Sequence, residues 1–255
     1  MPPKGLSICI SMNSPLTPSG EKRFRFKQFS LTDAGCAMKI GTDGVLLGSI
    51  AATFSADHIL DVGTGCGLIA LMIAQKSRGQ ITAIEVDPEA VAVARQNVQD
   101  SPWPEKIRVV HARFQDFVVS NEQRFDLVVC NPPFFLNSLL SPDAGRNIAR
   151  HAESLPPDEL LAGVKNKLSI IGNFLMVAPA EQEKYWLEAA QKEELFCRRL
   201  FRIFPKPGVK PKRVILGFSP LKGQMKPEKL IIETGHRHKF TEEYQSWTRD
   251  YYLHF

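Results

Sequence analysis

From about Asp57 to Ser219, short apolar runs alternate with helical patterns, and this alternation constrains the fold of the 255-residue chain more than any other feature. His58–Val62, Ile81–Glu85, Ile107–Val110, Phe125–Cys130 and Gly172–Ala178 are short, apolar and rich in β-branched residues, as buried parallel strands are. Helical patterns run over about Leu68–Lys76, Pro88–Gln99, Pro157–Leu168 and Glu181–Glu194. Asp87 and Pro88 supply the N-cap and first-turn residues of the second of these. Such alternation specifies an α/β fold, a mostly parallel sheet with helices on both faces. Two last β runs, Leu200–Phe204 and Arg213–Ser219, are joined by a Pro/Lys-rich loop without a helix, which predicts an antiparallel hairpin at one edge of a seven-stranded sheet.

The first strand leads through Asp61-Val62-Gly63-Thr64-Gly65-Cys66-Gly67 into the first helix. Glycines there allow unusual backbone angles and close approach of a ligand to the main chain. Glu85 ends the next strand, where a carboxylate can hold two ribose hydroxyls. A dinucleotide would need its pyrophosphate at the helix N-terminus and the spacing G-x-G-x-x-G. The spacing here is G-x-G-x-G, and the carboxylate of Asp61 would repel a pyrophosphate but attract the sulfonium and ammonium of S-adenosylmethionine (SAM). The charge favours SAM.

Asn131-Pro132-Pro133-Phe134 closes the strand Phe125–Cys130. Its prolines stop the strand and remove two N–H donors. What remains is an amide side chain, carbonyls without competing donors, and a phenyl ring. An amide oxygen and a carbonyl can accept both hydrogens of a planar amine, and a ring can stack on a base. Ligands of open α/β sheets bind at the carboxyl ends of the strands, where this tetrapeptide sits. The competing reading is turn punctuation, for which Asn and Pro are common.

A chain of this length can bury a large core, and 44% hydrophobic with 23% charged residues is an ordinary globular composition. No apolar run approaches the roughly 20 residues that span a bilayer. Residues 1–22 read as a flexible leader whose apolar patch, Ile8-Cys9-Ile10, is too short for a signal-peptide core; residues 23–255 read as a single domain of a cytoplasmic monomer, with 23–55 closing over the cofactor. The five cysteines are scattered without a C-x-x-C pair, so neither a metal site nor a disulfide framework is expected, and Cys66 and Cys130 read as buried thiols. His236 and His238 read as a solvated loop. Charge is segregated: residues 1–39 and 195–255 together carry +12, and residues 40–194 carry −7. Basic flanks on an acidic body suit a polyanionic partner, though lysine-rich surfaces also serve solubility. The candidates for phosphate contact are Arg198, Arg199, Arg202, Lys206, Lys210, Lys212 and Arg213. Phe24-Arg25-Phe26-Lys27-Gln28-Phe29 alternates rings with cations, as an RNA-stacking segment would, or as a strand burying its rings.

With these residues in place, the sequence resembles the Rossmann-like class I SAM-dependent amino-methyltransferases that carry D/N/S-P-P-F/Y/W after the fourth strand. Within them it is most similar to the bacterial tRNA1(Val) adenine-N6 methyltransferases. The resemblance runs from about Phe24 to the C-terminus and includes Cys36-Ala37-Met38-Lys39, Gly41-Thr42-Asp43-Gly44-Val45-Leu46-Leu47-Gly48, Ser101-Pro102-Trp103, Ala149-Arg150-His151, Arg213–Pro220 and Phe240–Tyr252. It implies a SAM pocket formed by Asp61, Gly63, Gly65, Gly67 and Glu85, with Thr42 and Asp43 closing its methionine end. It implies catalysis by Asn131, Pro132, Pro133 and Phe134 on an adenine N6 amine in a tRNA anticodon loop, adenine 37 of tRNA1(Val). Relatives carry an acidic residue that meets the cofactor adenine after the third strand; here Arg113 stands at that position, and Asp116, one helical turn on, is the substitute. A glutamine methyltransferase acting on a translation factor shares the N-P-P-Y/F signature and is the nearest rival. A non-catalytic RNA-binding protein on this fold is a further rival, and a nicotinamide-dependent oxidoreductase is disfavoured by the glycine spacing.

Overall fold

The computed structural model describes residues 23–132 and 155–254; Pro133, Phe134, the 149–151 tripeptide and the leader fall outside them. The central sheet combines β3 (His58–Val62), β4 (Gln80–Glu85), β5 (Ile107–His111), β6 (Phe125–Cys130), β7 (Leu168–Pro179), β8 (Phe196–Phe204), β9 (Arg213–Ser219) and β10 (Lys226–Ile231). Their spatial order is β10-β8-β9-β7-β6-β3-β4-β5. Only β9 runs antiparallel to its neighbours β7 and β8. A separate two-residue hairpin, β1 (Phe24–Arg25) with β2 (Ser30–Leu31), precedes the sheet.

The expected seven strands are therefore eight; the antiparallel hairpin β8–β9 is present as expected, and an added strand lies outside it. β9 inserts between β7 and β8, and β10 pairs parallel to β8 and forms the edge. A Lys-Pro-Glu-Lys sequence hides β10 from any apolar pattern, and its Pro227 is tolerated because an edge strand has one unpaired side.

The helices are α1 (Thr42–Ala51), α2 (Leu68–Lys76), α3 (Pro88–Gln99), α4 (Phe114–Ser120), α5 (Pro157–Lys167), α6 (Glu183–Lys192) and α7 (Glu242–Thr248). Asp87 caps α3 as expected, its side chain accepting from the N–H of Glu89. Strand residues alternate between two cores. Ile59, Leu127 and Val129 join α1, α2, residues 26–31 and residues 244–252 on one face; Leu60, Val62, Val128 and Cys130 join α4 and α5 on the other. None of the described helices is long and apolar enough to cross a membrane.

Phe26 and Phe29 are buried, stacked on each other, and Phe26 stacks on Tyr252. These rings belong to the core, so the RNA-stacking reading of the segment gives way to the packing one.

Candidate active site

The C-terminal ends of β3, β4 and β6 open on a cleft of about 410 Å³. At its floor the chain leaves β3 through three glycines, each left-handed: Gly63 at φ 69°, Gly65 at 57° and Gly67 at 85°. A Cβ on Gly63 or Gly65 would meet nothing within 4 Å, so those two are required by the backbone turn and leave their outer side open. Gly67 faces Ala94 of α3 and starts α2; it shapes the loop from behind.

The loop is fastened to its neighbours. Gly63 and Thr64 N–H donate to the Ile84 carbonyl. Glu85 accepts from the N–H of Gly65 at 2.8 Å with one carboxylate oxygen, and from those of Val86 and Asp87 with the other. The carboxylate is thus a buttress for the glycine loop as well as a wall of the cleft. Asn97 of α3 is fully buried and donates to the carbonyls of Cys66 and Thr32, which ties the loop to the segment carrying Cys36, Ala37 and Met38.

Asp61 does not reach the cleft wall. Strand alternation puts it on the Ile59 face, beneath α2, where it is fully buried and accepts from the Thr64 hydroxyl at 2.6 Å. Desolvation pushes its pKa up to about 7, opposed by hydrogen bonds from Thr64 and the Ala70 backbone. One oxygen fastens the loop from below, and the other, Oδ1, is buried with no hydrogen-bond partner among the described residues. Thr42 and Asp43 are also off the wall. Thr42 bonds to the buried Tyr244, and Asp43 pairs with Arg213, whose Nε lies 2.7 Å from its Oδ2. The next residue, Gly44, lies against Asn131, and a Cβ there would crowd Leu68 at 3.0 Å. Burial raises the Asp43 pKa, and Arg213 counters this by charge and hydrogen bond.

Asn131 and Pro132 line the cleft beside Gly63, Gly65 and Glu85. Asn131 Nδ2 lies 3.0 Å from the Met38 sulfur. Its Oδ1 is buried with no hydrogen-bond partner among the described residues. A buried acceptor without a donor costs about 1–3 kcal/mol. This one stands where the strand ends and the ligand cleft begins.

The far end of the cleft is lined by Val86, Asp87, Ala112, Arg113, Phe114 and Gln115. Asp116 is exposed and is not among the residues that line the cleft, whereas Gln115 is. Its Nε2 donates to Glu159 at 2.8 Å, which leaves the amide oxygen as an acceptor. Met38, Gln115 and Leu155 are cleft residues not anticipated in the sequence; only the Cys36–Lys39 motif hinted at one of them. Cys66 and Cys130 are buried free thiols, and desolvation pushes Cys66 up to about 12 and raises Cys130 further. Among the described residues no group of three or more His, Cys, Asp or Glu could hold a metal ion.

Of the nominated cations, Arg202 makes a bidentate pair with Glu183 at 2.8 and 2.6 Å, and Arg213 pairs with Asp43. Arg198 and Arg199 lie in the first half of β8, Arg199 level with Val129 of β6 and ion-paired with Glu228. Lys206, Lys210 and Lys212 are exposed.

The sequence profile of the Methyltransferase small domain family matches residues 37–185. A protein of Bacteroides fragilis (strain YCH46), named tRNA1(Val) (adenine(37)-N6)-methyltransferase, is 42% identical over 231 residues, covering 90% of this chain and 97% of its own. One of the same name from Bacteroides thetaiotaomicron is 43% identical over 234 residues, covering 91% and 97%. The crystal structure of an Agrobacterium tumefaciens protein described as a predicted O-methyltransferase superposes with a TM-score of 0.64 at 18% identity, covering 82% of this chain and 96% of that one, a likeness of fold alone.

Proposed function

Because the chain belongs to the tRNA1(Val) (adenine(37)-N6)-methyltransferase family, on a Methyltransferase small domain, we propose that it methylates N6 of an adenine in a tRNA anticodon loop, adenine 37 of tRNA1(Val), with SAM as donor. The observation that carries the reading is the buried Asn131 Oδ1, without a hydrogen-bond partner among the described residues, at the mouth of a cleft walled by the glycine loop.

The residues present fit a nucleoside-bearing cofactor. Gly63 and Gly65 leave open space along the main chain, Glu85 retains lone pairs for ribose hydroxyls, and the Gln115 amide oxygen suits an exocyclic adenine amine. When bound, SAM supplies an electrophilic methyl group. The chain's own part is to hold and polarise the acceptor. Asn131 Oδ1 and the Pro132 carbonyl accept the two N6 hydrogens, which favours a pyramidal nitrogen with its lone pair localised. Met38 fixes the Asn131 amide so that its oxygen, rather than its NH2, faces the acceptor. Rate then comes from alignment and charge stabilisation. The adenine leaves its stack to reach the cleft, at lower cost from a loop than from a duplex. A protein glutamine offers the same amine geometry; family membership favours the adenine.

Asn131→Ala should lower kcat about 10²–10³-fold with SAM affinity unchanged, the usual scale for losing one preorganised polar contact. Methyl transfer from labelled SAM into tRNA from a strain lacking the gene, with nucleoside mapping, reads substrate and product together. Label in any nucleoside but N6-methyladenosine, or near-normal kcat in the variant, would refute the reading.

A further inference from the structure

Two basic loops stand on the sheet edge that carries Asn131. Cys130 is level with Met176, Leu216, Leu200 and Pro227 across the sheet. Past that level β8 runs on from Leu200 to Phe204, and β10 from Pro227 to Ile231, a rise of roughly 13 Å at about 3.3 Å per residue. At the top of the rise each strand ends in a loop. The first, Pro205–Lys212, holds no acidic residue and exposes Lys206, Lys210 and Lys212. The second exposes Arg237, between His236 and His238, and Lys239 after them, and its one carboxylate, Glu233, is turned inward to accept from the His238 N–H at 2.9 Å.

The loops are built side by side. Ile232 N–H donates to the Phe204 carbonyl and Glu233 N–H to that of Pro205. Thr234 and Lys239 close the second loop by a backbone bond, and Gly208, Gly235 and His238 take the left-handed angles that their turns need. None of the five cations is in an ion pair among the described residues. Arg202 and Arg213, on the strands beneath, are neutralised by Glu183 and Asp43.

We propose that Lys206, Lys210 and Lys212 of the first loop, with Arg237 and Lys239 of the second, form a preorganised rim that binds the phosphates of the RNA stem flanking the target base. From β6 to β10 is four strand spacings, roughly 19 Å. A base in the cleft and a stem backbone on the rim are then engaged together, at a separation comparable to the width of an RNA helix. The proposal rests on the functional reading above for the identity of the RNA. It assigns a role to the 236–239 turn, which a sequence reading treats as solvated loop, and withdraws it from Arg198, Arg199, Arg202 and Arg213.

The test measures tRNA affinity across a salt series for the wild type, Lys206→Glu/Lys210→Glu, Arg237→Glu/Lys239→Glu and, as an off-rim charge control, Lys192→Glu. Each rim pair should weaken binding about tenfold or more at low salt and flatten the slope of log K against log salt by about one or more. SAM affinity and kcat at saturating tRNA should hold, and Lys192→Glu should bind as the wild type does. Wild-type affinity and slope in both rim variants, or an equal loss in Lys192→Glu, would overturn the rim. If the wild type binds tRNA with the expected slope but transfers no methyl group, the functional reading falls while the rim stands on its binding data.

Discussion

Asp61 shows how a residue marked out by its motif also carries a structural load. Its position before the glycines marks the loop, but strand alternation already puts it on the Ile59 face, beneath α2. There it is a buried carboxyl whose pKa lies up at about 7 because desolvation outweighs its hydrogen bonds. The folded state therefore holds a proton that the unfolded state releases near 3.8. Between those values the native state binds more protons, so stability falls as pH rises, by at most about 4 kcal/mol over the whole window. Asp61→Asn keeps an oxygen for the Thr64 hydroxyl and removes the titration. Its melting temperature should vary less from pH 5 to pH 8 than that of the wild type, as followed by thermal unfolding. An unchanged pH dependence would place the titrating group elsewhere.

At the scale of elements, legibility follows periodicity. The run His58–Val62, the helix Leu68–Lys76 and the strand Phe125–Cys130 are readable to the residue, because apolar strands bounded by glycine or proline have sharp ends. α1 is not legible as a helix. It is buried on every side, with only Asp43 less so, and offers no amphipathic stripe. β10 is hidden by its lysines and proline, and α7 by its shortness. The site is legible as types of residue more than as contacts. Asn131, Pro132, Gly63, Gly65 and Glu85 meet in one cleft, whereas Thr42 and Asp43 hold α1 in place, a role that depends on partners far along the chain. The Asp43–Arg213 pair joins the first turn of α1 to the start of β9, with only 19% and 13% of the two side chains exposed. Arg213→Met, which strands the carboxylate, should cost about 2–3 kcal/mol in denaturant unfolding, below the range for fully buried pairs. The double variant Arg213→Met/Asp43→Leu should recover part of that loss. A double variant as unstable as the sum of the single ones would mean that the pair has no coupling.

At the scale of the whole molecule, the first and last described segments pack together against α1 and α2. Phe26 stacks on Tyr252, and Lys27 N–H donates to the Tyr251 carbonyl. Tyr251 donates its hydroxyl to the Met72 carbonyl of α2, and Tyr244 bonds to Thr42 at the head of α1. All three tyrosines are buried in the core that α1 and α2 share. The helix that brings Gly44 against Asn131 is thus held by residues translated about two hundred positions later. Truncating even one buried aromatic to alanine typically costs about 3–5 kcal/mol, and whole domains of this kind are stable by about 5–15 kcal/mol. Deleting residues 241–255 should therefore abolish cooperative folding rather than trim an appendage. Tyr251→Phe, which loses one hydrogen bond and keeps the ring, should cost about 1 kcal/mol, a fall of roughly 2–4 °C in Tm. Circular dichroism on both variants distinguishes the cases. A truncated chain that melts cooperatively at the wild-type temperature would show that α1 and α2 hold together without the C-terminal segment, and that the cleft depends on the glycine loop and β6 alone.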